Sequence, residues 1–246
     1  MQPLSILSVK IGSKYDSEMV NNLYIMCCKN ITTPFKFFCY TDDPTRLLPE
    51  INIIKFVDHN FEVVFYNKLV MFSPWFDQQL LPGKRLYFDI DLIIKFNIDD
   101  VIDSATGDLT LIDAVWREKF PPGFPIWHHP FNSSCMVWET SPKTLSIWDH
   151  LMYDPEMFMC KYHWGMDSFL YYEKENIGVD IRYFPIRKFY SHMYGVDFSE
   201  NIIHEPITMA YRPSKFIDVV KNIPVVLLNG PTTRDQYEQY KQYYAV

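Results

Sequence analysis

The sequence predicts a mostly parallel α/β sheet flanked by helices. Three observations predict it. In the first half, strand-length apolar runs alternate with segments whose apolar residues fall at helical spacing, the pattern of a parallel sheet. Apolar residues make up 48% of the 246-residue chain and aromatics 17%, enough for a substantial core. There is no repeat, low-complexity segment or flexible linker, so a single domain over residues 1–246 is expected.

The elements follow in order. Leu4–Val9 ("LSILSV") reads as the first strand. A helix follows, with Met19, Val20, Leu23, Met26 and Cys27 at helical spacing behind a cap at Asp16 or Ser17. Phe35–Thr41 and Ile51–Val57 read as the next two strands. "FEVVFYNKLVMFSPWF" reads as helix as far as Ser73, because Pro74 disfavours helix in the residue before it. Pro82-Gly83 marks a turn, and "KRLYFDIDLII" (Lys84–Ile94) reads as a strand. The second half is less regular. "DLTLIDAV" and "NSSCMVWE" (Asn132–Glu139) read as extended, followed by a helix with Ser141 as N-cap and Pro142 at its first position. "MDSFLYYEKEN" reads as a helix, "VDIRYFP" and "IPVVLLNG" as late strands, and "TTRDQYEQYKQYY" as a closing helix.

Charge and cysteine usage exclude several roles. The net charge of −7 with no long basic run argues against a nucleic-acid partner, which needs clustered cations. Five cysteines, an odd number with no C-x-x-C pair, fit a reducing compartment, so a cytoplasmic protein is expected. "MQPLSILSVKIG" has neither a basic n-region nor a long apolar run, so no signal peptide is expected. No apolar run approaches the ~20 residues that span a bilayer, which leaves only peripheral membrane contact open.

The strand with two acids carries the chemistry. Residues i and i+2 of a strand point to one face, so Asp89 and Asp91 project together and Ile90 points away. Two adjacent carboxylates repel unless a cation joins them. The flanking apolar residues place the pair at the end of a buried strand or at a kink. Hard oxygen donors of this kind suit Mn²⁺ or Mg²⁺, and such an ion would offset the charge of a departing diphosphate. The other acidic pairs, Asp42-Asp43 and Asp99-Asp100, read as turn or helix-start acids.

"GKRLYFDIDLII" resembles the D-x-D segment of the GT-A glycosyltransferases. The likeness extends in order along nearly the whole chain. "SVKIGSKYDSEMVNNLYIMCCKNITTPFKFFCYTDD" resembles the family's opening, and "NKLVMFSPW" its Lys-Leu helix. "FNSSCMVWE" resembles the segment facing the transferred sugar, and "WGMDSFLYYE" the Gly-Asp-Gln helix start. "FPIRKFYSHMYG" is similar to a late Tyr-Ser segment, and "IPVVLLNGPTTRD" sits where members carry His-Gly-x-x-Lys/Arg-Pro. The closest flavour is that of the family-8-like sugar-nucleotide transferases.

The resemblance implies a GT-A fold with a Rossmann-like sheet. Residues 1–100 would be a nucleotide-binding half and residues 101–246 an acceptor-binding half. It implies a metal-dependent glycosyltransferase that takes a nucleotide sugar, a UDP-sugar first among them, to an acceptor hydroxyl. Asp91 would be the main ligand of Mn²⁺ (or Mg²⁺), Asp89 would share the metal and reach the ribose, and Asn229 would be the third ligand. The loop from Val9 to Tyr15, with Lys10 and Gly12, would hold the base, on which the Tyr15 ring can stack. Lys68 would place its ammonium near the phosphates or donor sugar. Asn132 and Ser133 would hydrogen-bond sugar hydroxyls, and Gly230 and Arg234 would lie at the late phosphate contact. Asp167 would contact the donor sugar, or act as base in an inverting transfer. Trp127, His128 and His129 would line the acceptor cleft. Each residue also has an ordinary reading: loop tyrosine, solvated lysine, turn residues, helix-start acid.

Two departures from the family pattern bear on turnover. Asn229 stands where relatives carry His, and Ser168 where they carry Gln. They keep a second reading open, a non-catalytic nucleotide- or glycan-binding module. A third, a sugar-phosphate nucleotidyltransferase, would want a Gly-rich basic loop, of which "KIGSKYDS" is a poor version.

Overall fold

The computed structural model describes residues 3–114, 129–163, 165–185, 187–192, 222–228 and 237–245. The first elements are β1 (Leu4–Lys10), α1 (Ser17–Asn30), β2 (Phe35–Thr41) and β3 (Asn52–Lys55), in the expected order. Asp16 caps α1 by accepting the Met19 N–H at 2.9 Å. The helix then buries Val20, Leu23, Met26 and Cys27 against one face of the sheet. Val20, Leu23 and Met26 are each worth about 1.5–3 kcal/mol when fully buried.

The segment expected to be helical up to Ser73 is a 3₁₀ helix over Val64–Phe72. Tyr66, Leu69 and Phe72 lie one three-residue turn apart, and they are buried together with Asn67, Val70 and Met71. Ser73 ends it and caps the short α2 (Pro74–Asp77), with Pro74 at the first position. Next come β4 (Lys84–Phe88), β5 (Leu92–Ile94), α3 (Asp99–Asp103), β6 (Leu109–Asp113) and β7 (Phe131–Glu139). The run Lys84–Ile94, expected to carry the acid pair at its end or at a kink, is two strands broken at that pair.

Then follow α4 (Pro142–Tyr153), α5 (Pro155–Lys161), α6 (Met166–Ile177), β8 (Ile181–Tyr183), β9 (Phe189–Ser191), β10 (Val225–Leu227) and α7 (Lys241–Tyr244). Ser141 and Thr144 form a reciprocal cap for α4. α6 stops at Gly178, whose left-handed φ of 75° favours glycine. Of the expected closing helix, residues 232–236 lie outside the described residues. A turn at 239–240 precedes α7.

Seven strands form one sheet in the order β3-β2-β1-β4-β7-β6-β8, in which only β7 runs against the others. The expected mostly parallel sheet is therefore observed. Strands β5-β10-β9 form a smaller second sheet. Alternate residues of β1 feed opposite faces. Leu4 and Ile6 join the core under α1, the second sheet and the chain end, while Leu7 joins the core under the 3₁₀ helix, α4 and α6. The five cysteines are free, with Cys27, Cys39 and Cys135 buried. Among the described residues no helix is long and apolar enough to cross a membrane.

Candidate active site

The order β3-β2-β1-β4 locates the site. β1 is followed in the chain by β2 on one side, and β4 lies on its other side. A crevice opens beyond the carboxyl ends of strands where the order reverses in this way, and ligands of open α/β sheets bind there. Residues 11–15 after β1, 42–46 after β2 and Asp89–Asp91 after β4 leave the sheet at this end beside the crevice. Because β7 is antiparallel to β4, with Cys135 opposite Phe88, its first residues start at the same end.

Asp89 and Asp91 lie just beyond β4, both partly buried, while Ile90 between them is in the core. The Asp89 N–H donates to the Ser134 carbonyl at 2.8 Å, which ties the pair to the start of β7. The Tyr15 hydroxyl donates to Asp91 Oδ2 at 2.7 Å. Lys68 Nζ and the Tyr87 hydroxyl both donate to Asp89 Oδ1. At the head of α6, Asp167 Oδ1 accepts the Ser133 N–H at 3.0 Å. Residues from five segments thus meet at one end of the sheet.

Acids outweigh cations here. Burial pushes the Asp91 carboxyl up, and the charge of Asp89 pushes it further, against the hydrogen bond from Tyr15 and the nearby Lys14 and Lys68. Burial would pull the Lys68 ammonium down, but Asp89, Asp167 and Asp91 together hold it above its ordinary value. Burial and the two acids raise both the Tyr15 and Tyr87 hydroxyls, so both stay protonated and act as donors.

Each sequence-derived residue has a definite place. Val9 is half-buried near the end of β1, and Lys10 is buried with its ammonium 3.2 Å from the Asp43 carbonyl. Gly12 takes a left-handed φ of 71° and donates its N–H to Asp42 Oδ2 at 2.9 Å. The loops after β1 and β2 are thereby tied to one another. The Tyr15 ring carries the Lys14 ammonium 4.5 Å from its centroid. Asn132 and Ser133 are buried, and the Asn132 side-chain oxygen accepts the Ser134 N–H at 3.1 Å, a local turn bond. His129 is buried 2.9 Å from the Ser168 hydroxyl, so the expectation that it lines an open cleft is not met. Asn229, Gly230, Arg234, Trp127 and His128 lie outside the described residues.

Tyr87 was not singled out from the sequence. It stands two residues before Asp89, so strand periodicity already placed it on the face of the acids. The donor chemistry fits a hard divalent cation: two neighbouring carboxylates, one of them held up by burial and by the charge of the other. Among the described residues no third His, Cys, Asp or Glu completes a metal-holding cluster with them.

No protein-family model matches the sequence, and no curated protein matches it. Solved structures do. The chain superposes on the galactosyltransferase LgtC, solved in complex with donor and acceptor sugar analogues, with a TM-score of 0.58 at 14% identity, over 98% of this chain and 95% of that one. The chain has the fold of the GT-A glycosyltransferases. Two further structures of this fold match comparably. The bifunctional glycosyltransferase WbbM gives a TM-score of 0.61 at 12% identity, over 99% of this chain and 50% of that one. The glycosyltransferase GlyE of Streptococcus pneumoniae gives 0.59 at 12%, over 100% of this chain and 61% of that one. At these identities the likeness establishes the fold, and the chemistry must be read from the site.

Proposed function

We propose that this protein is a divalent-cation-dependent glycosyltransferase that moves a sugar from a UDP-sugar to an acceptor hydroxyl. The observation that carries the reading is the meeting of Asp89 and Asp91 with Lys68, Tyr15 and Asp167 beyond the carboxyl ends of β1 and β4. The glycosyltransferase fold, and a neighbour solved with donor and acceptor sugar analogues, support it.

Asp89 and Asp91 would hold Mn²⁺ or Mg²⁺, with Asn229 as the third ligand. When bound, that ion supplies positive charge to the diphosphate that leaves. Tyr15 and Tyr87 fix the orientation of the two carboxylates, so the ligand oxygens are set before donor arrives. The Lys68 ammonium shares the diphosphate charge. The end of β1 at Val9 and Lys10, with Gly12 and Tyr15 in the loop that follows, holds the base. Asn132 and Ser133 would hydrogen-bond the donor sugar, and Gly230 with Arg234 would supply the late phosphate contact. In the transfer, the acceptor oxygen bonds to the anomeric carbon, the bond from that carbon to diphosphate oxygen breaks, and the acceptor proton departs. Asp167, steadied by the Ser133 N–H, receives that proton if the transfer inverts.

A non-catalytic binding module is the second reading. It is favoured by Ser168, which is buried and engaged with His129 rather than presented to a sugar. Incubation with a panel of UDP-sugars and Mn²⁺, followed by measurement of free UDP, separates the two. Steady UDP release that stops in Asp91→Asn supports the transferase, and binding without release from any donor supports the module.

A further inference from the structure

We infer that Lys68 stands in for the divalent cation on Asp89 in the ligand-free protein, and that a nucleoside diphosphate draws it away, making cation and diphosphate bind cooperatively. The inference rests on the proposal that the acid pair holds the cation, and adds a coupling device to it.

Lys68 has little choice of position. It belongs to a 3₁₀ helix in which Tyr66, Asn67, Leu69, Val70, Met71 and Phe72 are buried, so its backbone is fixed by its neighbours. Its side chain keeps 20% exposure and ends on Asp89 Oδ1, within the field of Asp91 and Asp167. The ammonium thus already supplies part of the counter-charge a cation would bring. A divalent ion on the same carboxylate would be repelled by it, which weakens cation binding when no nucleotide is present.

A diphosphate changes the balance. Its oxygens carry more negative charge than a carboxylate and offer the ammonium a better partner. Lys68 is long and flexible, and part of its side chain faces solvent, so it can swing from one anion to the other. Tyr87 cannot follow, because it is fully buried in β4. Its hydroxyl therefore keeps hold of Asp89 Oδ1 and preserves the carboxylate's orientation when Lys68 leaves. Tyr87 is a positioning residue in this exchange, and Lys68 is the mobile charge. Each ligand then favours the other, as reciprocal linkage requires.

Counting free Mn²⁺ by electron paramagnetic resonance, with and without UDP, tests this without reference to turnover. The wild-type protein is expected to bind Mn²⁺ alone weakly and, with UDP, about tenfold or more tightly, within the usual range of coupled sites. Lys68→Met, or Lys68→Gln should the first variant fail a thermal-unfolding check, is expected to bind Mn²⁺ alone about tenfold more tightly than wild type and to gain less from UDP. Lys68→Arg, which keeps the charge, is expected to behave as wild type. Mn²⁺ binding in Lys68→Met and Lys68→Gln that is no tighter than wild type, with UDP and Mn²⁺ still bound together, overturns the exchange and leaves the proposed function standing. Absence of any binding of Mn²⁺ or UDP in wild type overturns both.

Discussion

Glu173 on α6 and Asp91 beyond β4 are acids withdrawn from solvent, and the fold treats them in opposite ways. Glu173 is saturated. It accepts the Tyr162 hydroxyl, the Lys161 ammonium at 2.9 Å, the Asn176 amide at 2.7 Å and a His150 ring nitrogen at 3.1 Å. Burial alone would raise its carboxyl, but these donors outweigh burial and pull it down to about 2. Asp91 has the Tyr15 hydroxyl, and burial with the Asp89 charge leaves its carboxyl raised. The acid that joins α4 and α5 to α6 is held down by its donors, whereas burial and a neighbouring acid hold Asp91 up at the sheet end. A carboxyl pushed up by burial and a like charge in a cleft is a physical mark of a working site.

Substitutions at the two acids should therefore have inverse effects. The largest is expected for Asp91→Asn: at least about a hundredfold loss of Mn²⁺-dependent nucleotide binding, the upper range for loss of even an outer metal partner. The same change should raise the melting temperature of the ligand-free protein. A raised carboxyl destabilises the fold once pH has climbed past its ordinary value, and this penalty is complete above the raised value, so it is present at neutral pH. Binding by calorimetry and unfolding by scanning calorimetry read the two halves. A fall in melting temperature would remove the contrast.

Glu173→Gln should do the reverse. It leaves several donors short of their acceptor charge, at an expected cost of about 1–3 kcal/mol in denaturant unfolding. Its nucleotide affinity should remain within about twofold of wild type, because the two clusters share no partner.

The pH profile sharpens the contrast. An unfolded glutamate takes up its proton near 4.5, and folded Glu173 only near 2, so stability should drain away as pH falls through that window. Glu173→Gln should show a shallower decline over the same range. An equal decline in both proteins would assign the acid sensitivity elsewhere. The smallest effect is expected for Tyr162→Phe, about 1 kcal/mol of stability with unchanged nucleotide affinity. Tyr15→Phe should instead leave stability nearly unchanged and alter the affinity for Mn²⁺.

How much of this could be read from the residues depended on the strength of the local pattern. β1, α1, β2 and β3 each carry one clear period, and the caps at Asp16 and Ser141 mark their helices without tertiary help. The break at Asp89–Asp91 was legible because acids interrupt an apolar run. Reversal of β7 was not, since an apolar strand reads alike in either direction. The second sheet was hidden for another reason: its strands are three residues long, too short to display a period. Lys68 was conspicuous as the charged residue of an apolar helix, but its partner Asp89 is chosen by how that helix packs over the sheet. The burial of His129 likewise depends on α6 supplying the Ser168 hydroxyl.

Titration of UDP into the protein by calorimetry, in Mn²⁺ and in a chelator, and then into Asp91→Asn, measures whether the acid pair grips a cation for a diphosphate. UDP binding that requires Mn²⁺ and disappears in Asp91→Asn is the predicted result. UDP binding of equal strength in both buffers, and unchanged in Asp91→Asn, would contradict it.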